Sequence, residues 1–443
     1  MAKKCKKLIY VTRSELRKAY DDCIKHKHGT ENAIKFEIDC DIKLEHLYRE
    51  LNSMTYTIGK SIVFCLRENN VSTREVFAAD FKDRIVHHLI VNRLRPSIED
   101  NELIDDNYAC REGKGTLYGA LRCKQAIKKC SETGTVDCTI YKGDFKSFFT
   151  SLNKEQIYER LEQHVIKYMS NDRNMIFNLW LAKMIIYHCP QGSDNYIMKQ
   201  PISFWDTLPS HKSLFNCDEN HGIAIGNLTS QIFANFYLSV FDHYVTETLG
   251  YKYYGRYVDD FYIITRNSNT RIKKDAKKIR EFAKSIDLNI NVNKTYMQPY
   301  YHGVNFIGYY VYVNRMYIRN STKEKFNNMV YSFNEELKNN YIGKKIMPSM
   351  LYIKKLQSRW NSYIGLFKHC SAYHIWNNAL KDNPYVREVL LLYGTLDNDG
   401  IMHYKWFSKK LERQEIMNHR IFKFKEVKKL CAEEPEDWLK KII

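Results

Sequence analysis

Two adjacent aspartates interrupt an apolar run in the segment Arg256-Tyr257-Val258-Asp259-Asp260-Phe261-Tyr262-Ile263-Ile264. The β-branched and aromatic residues on both sides indicate two short strands, which join where the acids stand. Carboxylates beside an apolar sheet are costly unless they are paired or bind a cation. A tight hairpin turn would also explain this dipeptide, which recurs at 21–22 and 105–106. The pair therefore needs support from elsewhere in the chain.

A third aspartate occupies a similar position far upstream. Asp144 ends the short strand predicted at 139–141 and is followed by the aromatic pair Phe148-Phe149. Three acids at the ends of neighbouring strands can hold two divalent cations ~4 Å apart, as in-line phosphoryl transfer requires. Mg²⁺ suits such a site because it takes oxygen ligands and leaves room for waters and substrate phosphates. The sequence thus predicts Asp144, Asp259 and Asp260 as catalytic carboxylates around two Mg²⁺ ions.

The overall charge favours a polyanionic partner. The 443 residues include 69 Lys and Arg against 51 Asp and Glu, which gives a net charge of +18. Nucleic acid is the first partner that such an excess indicates, and an acidic membrane surface is the second. A basic surface around three acids fits a polymerase or nuclease better than a simple hydrolase. The 44% hydrophobic content excludes a disordered chain.

The lengths of the apolar runs and the spacing of the cysteines exclude several classes of protein. No apolar run approaches the ~20 residues of a membrane-spanning helix, so an integral membrane protein is excluded. The apolar run at 8–11 is too brief for a secretory signal. Twelve cysteines at irregular spacing include no C-x-x-C pair, which argues against a zinc ribbon or a disulfide framework. We therefore expect a reduced, cytosolic protein.

Several motifs, in one order along the chain, resemble those of reverse transcriptases. They cover roughly residues 60–320. The palm-like motifs are Asp144 with Phe148-Phe149, the segment 222–231, and Tyr257-Val258-Asp259-Asp260. The fingers-like motifs are Arg74-Glu75-Val76 and the segment 83–88, and two downstream motifs are Asn293-Lys294-Thr295 and Phe306-Ile307-Gly308.

This resemblance implies roles for the residues at matching positions. Asp144 and Asp259 would be the principal metal ligands, joined by Asp260 and by the backbone carbonyl of Phe145. Phe149, five residues after Asp144, matches an aromatic steric gate that leaves no room for a ribose 2′-hydroxyl. Ordinary core packing is the alternative for this ring.

The resemblance also implies contacts to the incoming nucleotide and to nucleic acid. Arg74 matches a fingers arginine that grips the triphosphate. Lys294 matches a lysine that donates a proton to the departing pyrophosphate, although a solvated surface lysine would look the same in the sequence. Ile225 and Gln231 complete the predicted dNTP-binding residues. Nucleic-acid contacts are predicted for Arg84, Arg111 and Lys114.

The segment 225–231 is similar to one branch in particular, the reverse transcriptases of diversity-generating retroelements. Other branches commonly have glutamine where this chain has Ile225, and an aliphatic residue can check a nascent base pair only by shape. The resemblance implies misincorporation opposite template adenines. Two positions depart from the branch: Ser72 replaces a common lysine, and Ala224 replaces a common proline.

Local patterns predict further elements. They indicate helices within 14–52 and at 83–94, a hairpin of strands near 61–65 and 74–77, a glycine-rich loop at 107–119, a lysine-rich helix at about 271–286, and strands at 288–292 and 304–313.

From these patterns and the resemblance we expect an α/β right-hand polymerase with a ferredoxin-like palm and a helical thumb. The resemblance also implies the cytosol of a bacterial or phage-infected host cell. The predicted division is N-terminal helices and fingers at 1–137, palm at 138–315 with an insertion near 151–221, and basic thumb with C-terminal extension at 316–443. Expected partners are template RNA, a cDNA or DNA primer, dNTPs and a small basic accessory variability determinant protein. The alternatives are a phage-defence or abortive-infection reverse transcriptase and a non-catalytic RNA-binding scaffold.

Overall fold

The structure, a computed structural model, describes residues 8–25, 30–68 and 72–404. The chain divides into two compact units. The first comprises residues 1–126 and 137–299, and the second comprises residues 127–136 and the chain from Tyr300 onward. The part of the predicted C-terminal extension beyond residue 404 lies outside the described residues.

The first unit begins with helices around a long central helix and a hairpin. Helix α1 opens with a capping box, in which Thr12 and Glu15 each accept from the other's backbone N–H. The predicted helices over 14–52, the hairpin and the helix from Asp83 to Leu94 are all present. The elements are α1 (Arg13–Ile24), α2 (Glu31–Glu37), α3 (Cys40–Asn52), β1 (Ser61–Glu68), β2 (Ser72–Ala78), α4 (Phe81–Asn101) and α5 (Thr116–Cys130).

The predicted insertion contributes helices and a strand to this unit. The strand β4 pairs in parallel with β1, with Ser61 opposite Tyr196, so the hairpin becomes a three-stranded sheet in the order β2-β1-β4. The insertion is therefore part of the same layer as the predicted fingers. From the middle of the chain the elements are β3 (Thr139–Lys146), α6 (Phe148–Ser151), α7 (Lys154–Tyr168), α8 (Met175–Tyr187) and β4 (Tyr196–Met198).

A second sheet forms the centre of the first unit. Its strands run in the order β5-β6-β3-β7, and β8 also pairs with β3. Buried rings from α10 pack on this sheet, with Phe241 lying 5.0 Å from Phe145 and 5.2 Å from Phe261 between ring centroids. The elements are α9 (Leu228–Tyr237), α10 (Ser239–His243), β5 (Tyr253–Tyr257), β6 (Asp260–Thr265), α11 (Asn269–Ser285), β7 (Asn289–Ile290) and β8 (Tyr296–Pro299).

Up to residue 404, the described part of the second unit combines a small sheet with four α-helices. Its strands run in the order β11-β10-β9, and a separate hairpin joins β12 to β13. Phe326 and Trp360 are fully buried between the helices, with ring centroids 5.4 Å apart. The elements are β9 (Val304–Phe306), β10 (Tyr309–Val311), β11 (Met316–Ile318), α12 (Asn320–Asn340), α13 (Met350–Phe367), α14 (Tyr373–Asp382), α15 (Pro384–Tyr393), β12 (Gly394–Leu396) and β13 (Met402–Tyr404).

The predicted α/β class is confirmed, and three local predictions need correction. The predicted glycine-rich loop at 107–119 ends early, because α5 already begins at Thr116. The strand expected at 288–292 is only two residues long, Asn289–Ile290. The strand expected at 304–313 is a hairpin, because Ile307 and Gly308 turn the chain with φ of +41° and +98°. None of the described helices is long and apolar enough to cross a lipid bilayer.

Candidate active site

The register of two antiparallel strands brings the predicted acids together. Strand β3 pairs with β6 so that Asp144 lies opposite Asp260, and Gly143 lies opposite Phe261. A Cβ atom on Gly143 would clash with the Phe261 ring, so only glycine fits beside this ring. The close approach of the two strands at this point fixes where the carboxylates emerge.

The third acid lies in the turn that joins β5 to β6. Tyr257 pairs with Asp260, which leaves Val258 and Asp259 as a two-residue turn. Val258 has a φ of +54°, a left-handed conformation that is strained for a β-branched residue. The backbone of Phe145 donates to the Asp259 carbonyl at 3.2 Å, so the turn is bonded to β3.

A buried ion pair is hydrogen-bonded to this turn. Arg256 and Asp242 are both fully buried and form two hydrogen bonds, of 2.6 and 2.7 Å. A third guanidinium N–H donates to the Val258 carbonyl at 2.8 Å. Arg256 thus connects the strained turn to Asp242, and loss of either partner would leave an uncompensated buried charge. Sequence reasoning missed this pair because Asp242 lies 14 positions before Arg256, outside the segment that carries the acids.

Two lysines form ion pairs with the carboxylates of the site. Lys294 lies 3.2 Å from the Asp144 carboxylate, and its side chain remains 60% exposed. Lys142 is buried and donates to the Asp260 carboxylate at 2.7 Å. The Asn291 backbone also donates to the Asp144 carbonyl at 2.7 Å. The sequence predicted Lys294 near this site, whereas Lys142 carried no recognised signal.

Each acid affects the pKa of its neighbours. Burial raises the pKa of Asp144; Lys294 lowers that pKa, and the nearby Asp260 carboxylate raises it again. Burial, followed by repulsion from Asp144 and Asp260, raises the pKa of Asp259 to about 6. Like charges in a partly desolvated site disfavour ionisation, and a cation among them would reverse that effect.

The donor chemistry of the site fits a hard divalent cation. Three carboxylates and the carbonyl of Phe145 are the oxygen ligands that Mg²⁺ prefers. Among the residues that the structure describes, no group of three His, Cys, Asp or Glu side chains is arranged to hold a metal ion. Instead, Asp144 and Asp260 are turned toward Lys294 and Lys142.

The predicted steric gate lies beside the segment 222–231. Phe149 is half-buried, and its carbonyl accepts from the backbone of Ile223 at 2.9 Å. The Ile225 carbonyl accepts from the backbone of Phe77 on β2 at 3.1 Å. The segment therefore connects the residues after Asp144 to the hairpin that carries Arg74. Arg74 itself is exposed on β2.

A glycine fixes this connection. Gly226 has a φ of +117°, and a Cβ atom there would lie 2.8 Å from the Val76 side chain. Close contact between the segment and β2 thus requires glycine at this position. Gln231, in the first turns of α9, is exposed and accepts from the Cys110 thiol at 3.1 Å.

Glu75 joins the insertion to the same strand. This carboxylate is 4% exposed and accepts from Trp205 Nε1 and Ser213 Oγ, both at 2.7 Å, and from the Leu214 backbone at 2.6 Å. Three donors around one buried carboxylate compensate its desolvation. Glu75 thereby holds the insertion next to Arg74. The sequence alone contained no signal for this role.

The sequence around this site matches one protein family. A sequence model of the family described as reverse transcriptase (RNA-dependent DNA polymerase) matches residues 66–311, more than half of the chain. The chain belongs to the reverse transcriptase family. The description of that family gives its activity as RNA-dependent DNA polymerase. Divalent metal ions are general in this family.

Among solved structures, this reverse transcriptase is similar to telomerase from Candida albicans, which was solved in complex with a fragment of telomeric RNA. The TM-score is 0.42 and the sequence identity is 12%, over 76% of this chain and 62% of that chain. The chain therefore spans less than two thirds of the telomerase chain. Among curated proteins, none matches this reverse transcriptase.

The predicted nucleic-acid contacts of this reverse transcriptase lie upstream of β3. Arg84 Nε donates to the Ala79 carbonyl at 2.9 Å. Arg111 donates to the Ile104 carbonyl at 2.8 Å, and the Lys114 ammonium donates to both the carbonyl and the carboxylate of Asp105. All three cations thus have partners within the protein, and their contact with nucleic acid stays a prediction.

Proposed function

We propose that this reverse transcriptase copies a template RNA into cDNA at Asp144, Asp259 and Asp260, with two Mg²⁺ ions. The observation that carries the proposal is the strand register, which sets Asp144 opposite Asp260 with Asp259 in the adjoining turn. Mutual repulsion in a partly buried site favours a bound cation. Bound there, the ions would lower the pKa of the primer hydroxyl and neutralise the leaving pyrophosphate.

Each residue of the site has its own part in this proposal. Asp144, Asp259, Asp260 and the carbonyl of Phe145 would hold the ions, and Lys142 would orient the carboxylate of Asp260. Lys294 would donate a proton to pyrophosphate. Its contact with Asp144 and its largely exposed side chain support this role, because the ammonium can reach both the acids and a substrate.

The dNTP would be selected by residues around the segment 222–231. The half-buried ring of Phe149 would lie under the sugar and exclude a 2′-hydroxyl. Arg74, on the strand that Glu75 anchors, would bind the triphosphate through its planar guanidinium. Gln231 would line the same nucleotide site. The backbone bonds from this segment to Phe149 and to β2 support a shared location.

Low fidelity at template adenines is the finer proposal. Ile225 is half-buried and offers the nascent base pair an aliphatic surface without a hydrogen-bonding group. Such a surface can reject a wrong pair only by its shape. We propose that the enzyme serves a diversity-generating retroelement and works with a small basic accessory variability determinant protein. The division into fingers at 1–137, palm at 138–315 and thumb at 316–443 belongs to the same proposal.

The carboxylates can be tested by primer extension. Purified Asp259→Ala/Asp260→Ala protein should give no Mg²⁺-dependent product on an RNA template, yet should keep salt-sensitive RNA binding. Asp218→Ala, which removes an exposed acid, is the matched control and should extend normally. Extension by the double variant would refute the assignment, and loss of RNA binding together with thermal stability would show misfolding instead.

Fidelity is tested by sequencing the products of the wild-type enzyme and of Ile225→Gln. We expect wild-type errors to concentrate opposite template adenines, and we expect the glutamine variant to make fewer of them. The reaction should include the accessory protein and cognate RNA if the enzyme alone gives no product. Errors spread evenly over the four bases, or unchanged in Ile225→Gln, would favour a defence-type reverse transcriptase.

A further inference from the structure

A buried lysine contacts a cysteine within the predicted insertion. Lys154, the first residue of α7, is only 1% exposed. Its ammonium donates to Cys189 Sγ at 3.2 Å and to the carbonyl of His188 at 3.3 Å. In the part of the chain that the structure describes, no Asp or Glu is paired with this ammonium. Because lysine is rarely fully buried without a carboxylate, the contact with the thiol needs an explanation.

Helix capping explains only one of the two contacts. His188 follows the last residue of α8, and a lysine at a helix C-terminus can bond to the final carbonyls. A thiol, in contrast, is a weak acceptor and supplies no charge to balance a buried ammonium. A thiolate would supply that charge, and the thiolate is the reactive form of cysteine. The pair of Lys154 and Cys189 therefore has the composition of a reactive site.

The surroundings of Cys189 suit reaction with a small oxidant. The residue is half-buried and is therefore in part open to solvent. Its Sγ lies 3.5 Å from the Tyr187 carbonyl and 3.8 Å from the Glu219 carbonyl, which hold the sulfur beside Lys154. Peroxides oxidise thiolates next to a cation to sulfenic acid, and a sulfenic acid condenses with a nearby nitrogen. Here the nearby nitrogen is the Nζ atom of Lys154.

A second thiol of the same region has a different environment. Cys217 donates to the carbonyls of Thr150 and Ser213, at 3.5 and 3.7 Å. Burial, followed by the charges of Glu75 and Asp218, raises the pKa of the Cys217 thiol to about 11. Little thiolate is then present at neutral pH, so this thiol should react slowly. Cys217 is therefore a matched control.

We propose that Lys154 and Cys189 form a redox modification site, in which a peroxide joins Nζ to Sγ through a reversible S–N bond. The oxidant is hydrogen peroxide or an organic peroxide. The proposal goes beyond polymerisation at Asp144, because neither residue belongs to that site.

The reaction balances with one molecule of hydrogen peroxide. The Cys189 thiolate attacks one peroxide oxygen, the O–O bond breaks, and the departing hydroxide takes a proton from the Lys154 ammonium to form water. The resulting amine attacks the sulfur of the sulfenic acid. An S–N bond forms, the S–O bond breaks, and the departing hydroxide takes a proton from the nitrogen to form a second water. Two molecules of an ordinary thiol restore the cysteine and the amine, and become a disulfide.

The bond would fasten the segment 188–217 to the start of α7. This segment contains Trp205 and Ser213, which bind the Glu75 carboxylate beside Arg74. We therefore expect a protease to cleave the segment more slowly in the oxidised protein than in the reduced protein.

Peptide mapping of the full chain after treatment with hydrogen peroxide tests the proposal directly. Digestion with trypsin should yield a species that joins peptides 147–160 and 184–199, with a mass two hydrogens below their sum. Dithiothreitol should release both peptides. Unlinked peptides would overturn the proposal, even if dimedone trapped Cys189 as a sulfenic acid. A disulfide between Cys189 and another cysteine, or a linkage that contains an added oxygen, would also overturn it.

Variants identify the two atoms that are joined. Cys189→Ser and Lys154→Arg should abolish the linked species, because serine forms no sulfenic acid and the arginine guanidinium stays protonated. Cys217→Ser should form the species as wild type does. Lys167→Arg, which changes an exposed lysine on the same helix, should also form it. A linked species that persisted in Lys154→Arg would identify a different nitrogen and refute the assignment.

Two measurements on the wild-type protein remain decisive if a variant fails to fold. The first is the peptide map, which requires no substitution. The second is limited proteolysis with and without peroxide, in which cleavage within 188–217 should slow and dithiothreitol should restore its rate. A rate that peroxide leaves unchanged would show that the bond does not form in the folded protein.

Discussion

Lys142 controls how the charge of Asp260 is balanced. The two groups are 2.7 Å apart, although 118 positions separate them in the sequence. Lys142→Met keeps the length of the side chain and removes the charge, so Asp260 would face Asp144 without compensation. We expect the free energy of unfolding to fall by about 1–3 kcal/mol and primer extension to slow. Urea denaturation and single-turnover extension measure the two effects.

A control for this prediction lies on the same strand. Lys146 is the exposed last residue of β3, and Lys146→Met should change the free energy of unfolding by less than about 0.5 kcal/mol. If Lys142→Met proved as stable as Lys146→Met, the contact with Asp260 would contribute nothing measurable.

Asp83 gives the stability of the first unit a dependence on pH. The side chain is fully buried, accepts from the Tyr56 hydroxyl at 2.6 Å and from the Gly59 backbone at 2.9 Å, and burial raises its pKa to about 6. A raised pKa means that the folded protein binds the proton more tightly than the unfolded chain does. The stability from this proton is therefore present below pH 4 and lost as the pH rises to 6.

Denaturation at two pH values tests this sign. The pKa difference corresponds to about 3 kcal/mol at most, and we expect wild type to lose part of it between pH 4.5 and 7. Asp83→Asn keeps an acceptor for Tyr56 and should remove this part of the pH dependence. Asp100→Asn, an exposed acid on the same helix, should retain it. A pH dependence unchanged in Asp83→Asn would show that this carboxyl titrates normally.

The insertion is attached to β2 chiefly through Glu75. Glu75→Gln places an amide against three donors, and at least one N–H then loses its acceptor. We expect protease cleavage within 188–217 to accelerate and the KM for dNTPs to rise, because Arg74 is the next residue on the strand. Limited proteolysis and steady-state kinetics measure the two effects.

Two further variants test whether the lost hydrogen bonds of Glu75 cause the faster cleavage and the higher KM. Trp205→Phe removes a single donor and keeps an aromatic ring near Phe215, so it should have a smaller effect in the same direction. Glu155→Gln, on the exposed face of α7, should behave as wild type. Faster cleavage in Glu75→Gln with an unchanged KM would mean that the insertion does not position Arg74.

The elements that could be predicted from the sequence are those whose signal is local. The apolar strands around Asp144 and Asp259, the helix α4 and the basic helix α11 all follow from short-range patterns. The contacts of Glu75 could not be predicted, because its partner Trp205 lies 130 positions away. The β9–β10 hairpin was missed because its turn begins with Ile307, a residue that usually marks a strand.

The net charge of +18 affects the molecule as a whole. Binding of RNA to a basic protein releases counterions, so the affinity should fall as salt rises, at least tenfold between 50 and 200 mM. The slope of log affinity against log salt should be the same in wild type and in Asp259→Ala/Asp260→Ala. Fluorescence anisotropy with a labelled RNA measures it, and an affinity independent of salt would contradict a largely electrostatic contact.

The parallel pairing of β1 with β4 has a consequence for how the chain folds as it is made. β1 and β2 leave the ribosome early, but the third strand of their sheet begins only at Tyr196. At about 5–20 residues per second, one edge of the hairpin lacks its neighbour for roughly 6 to 26 seconds. An open strand edge is a template for pairing with other nascent chains. Translation speed and temperature should therefore influence how much of this protein escapes aggregation.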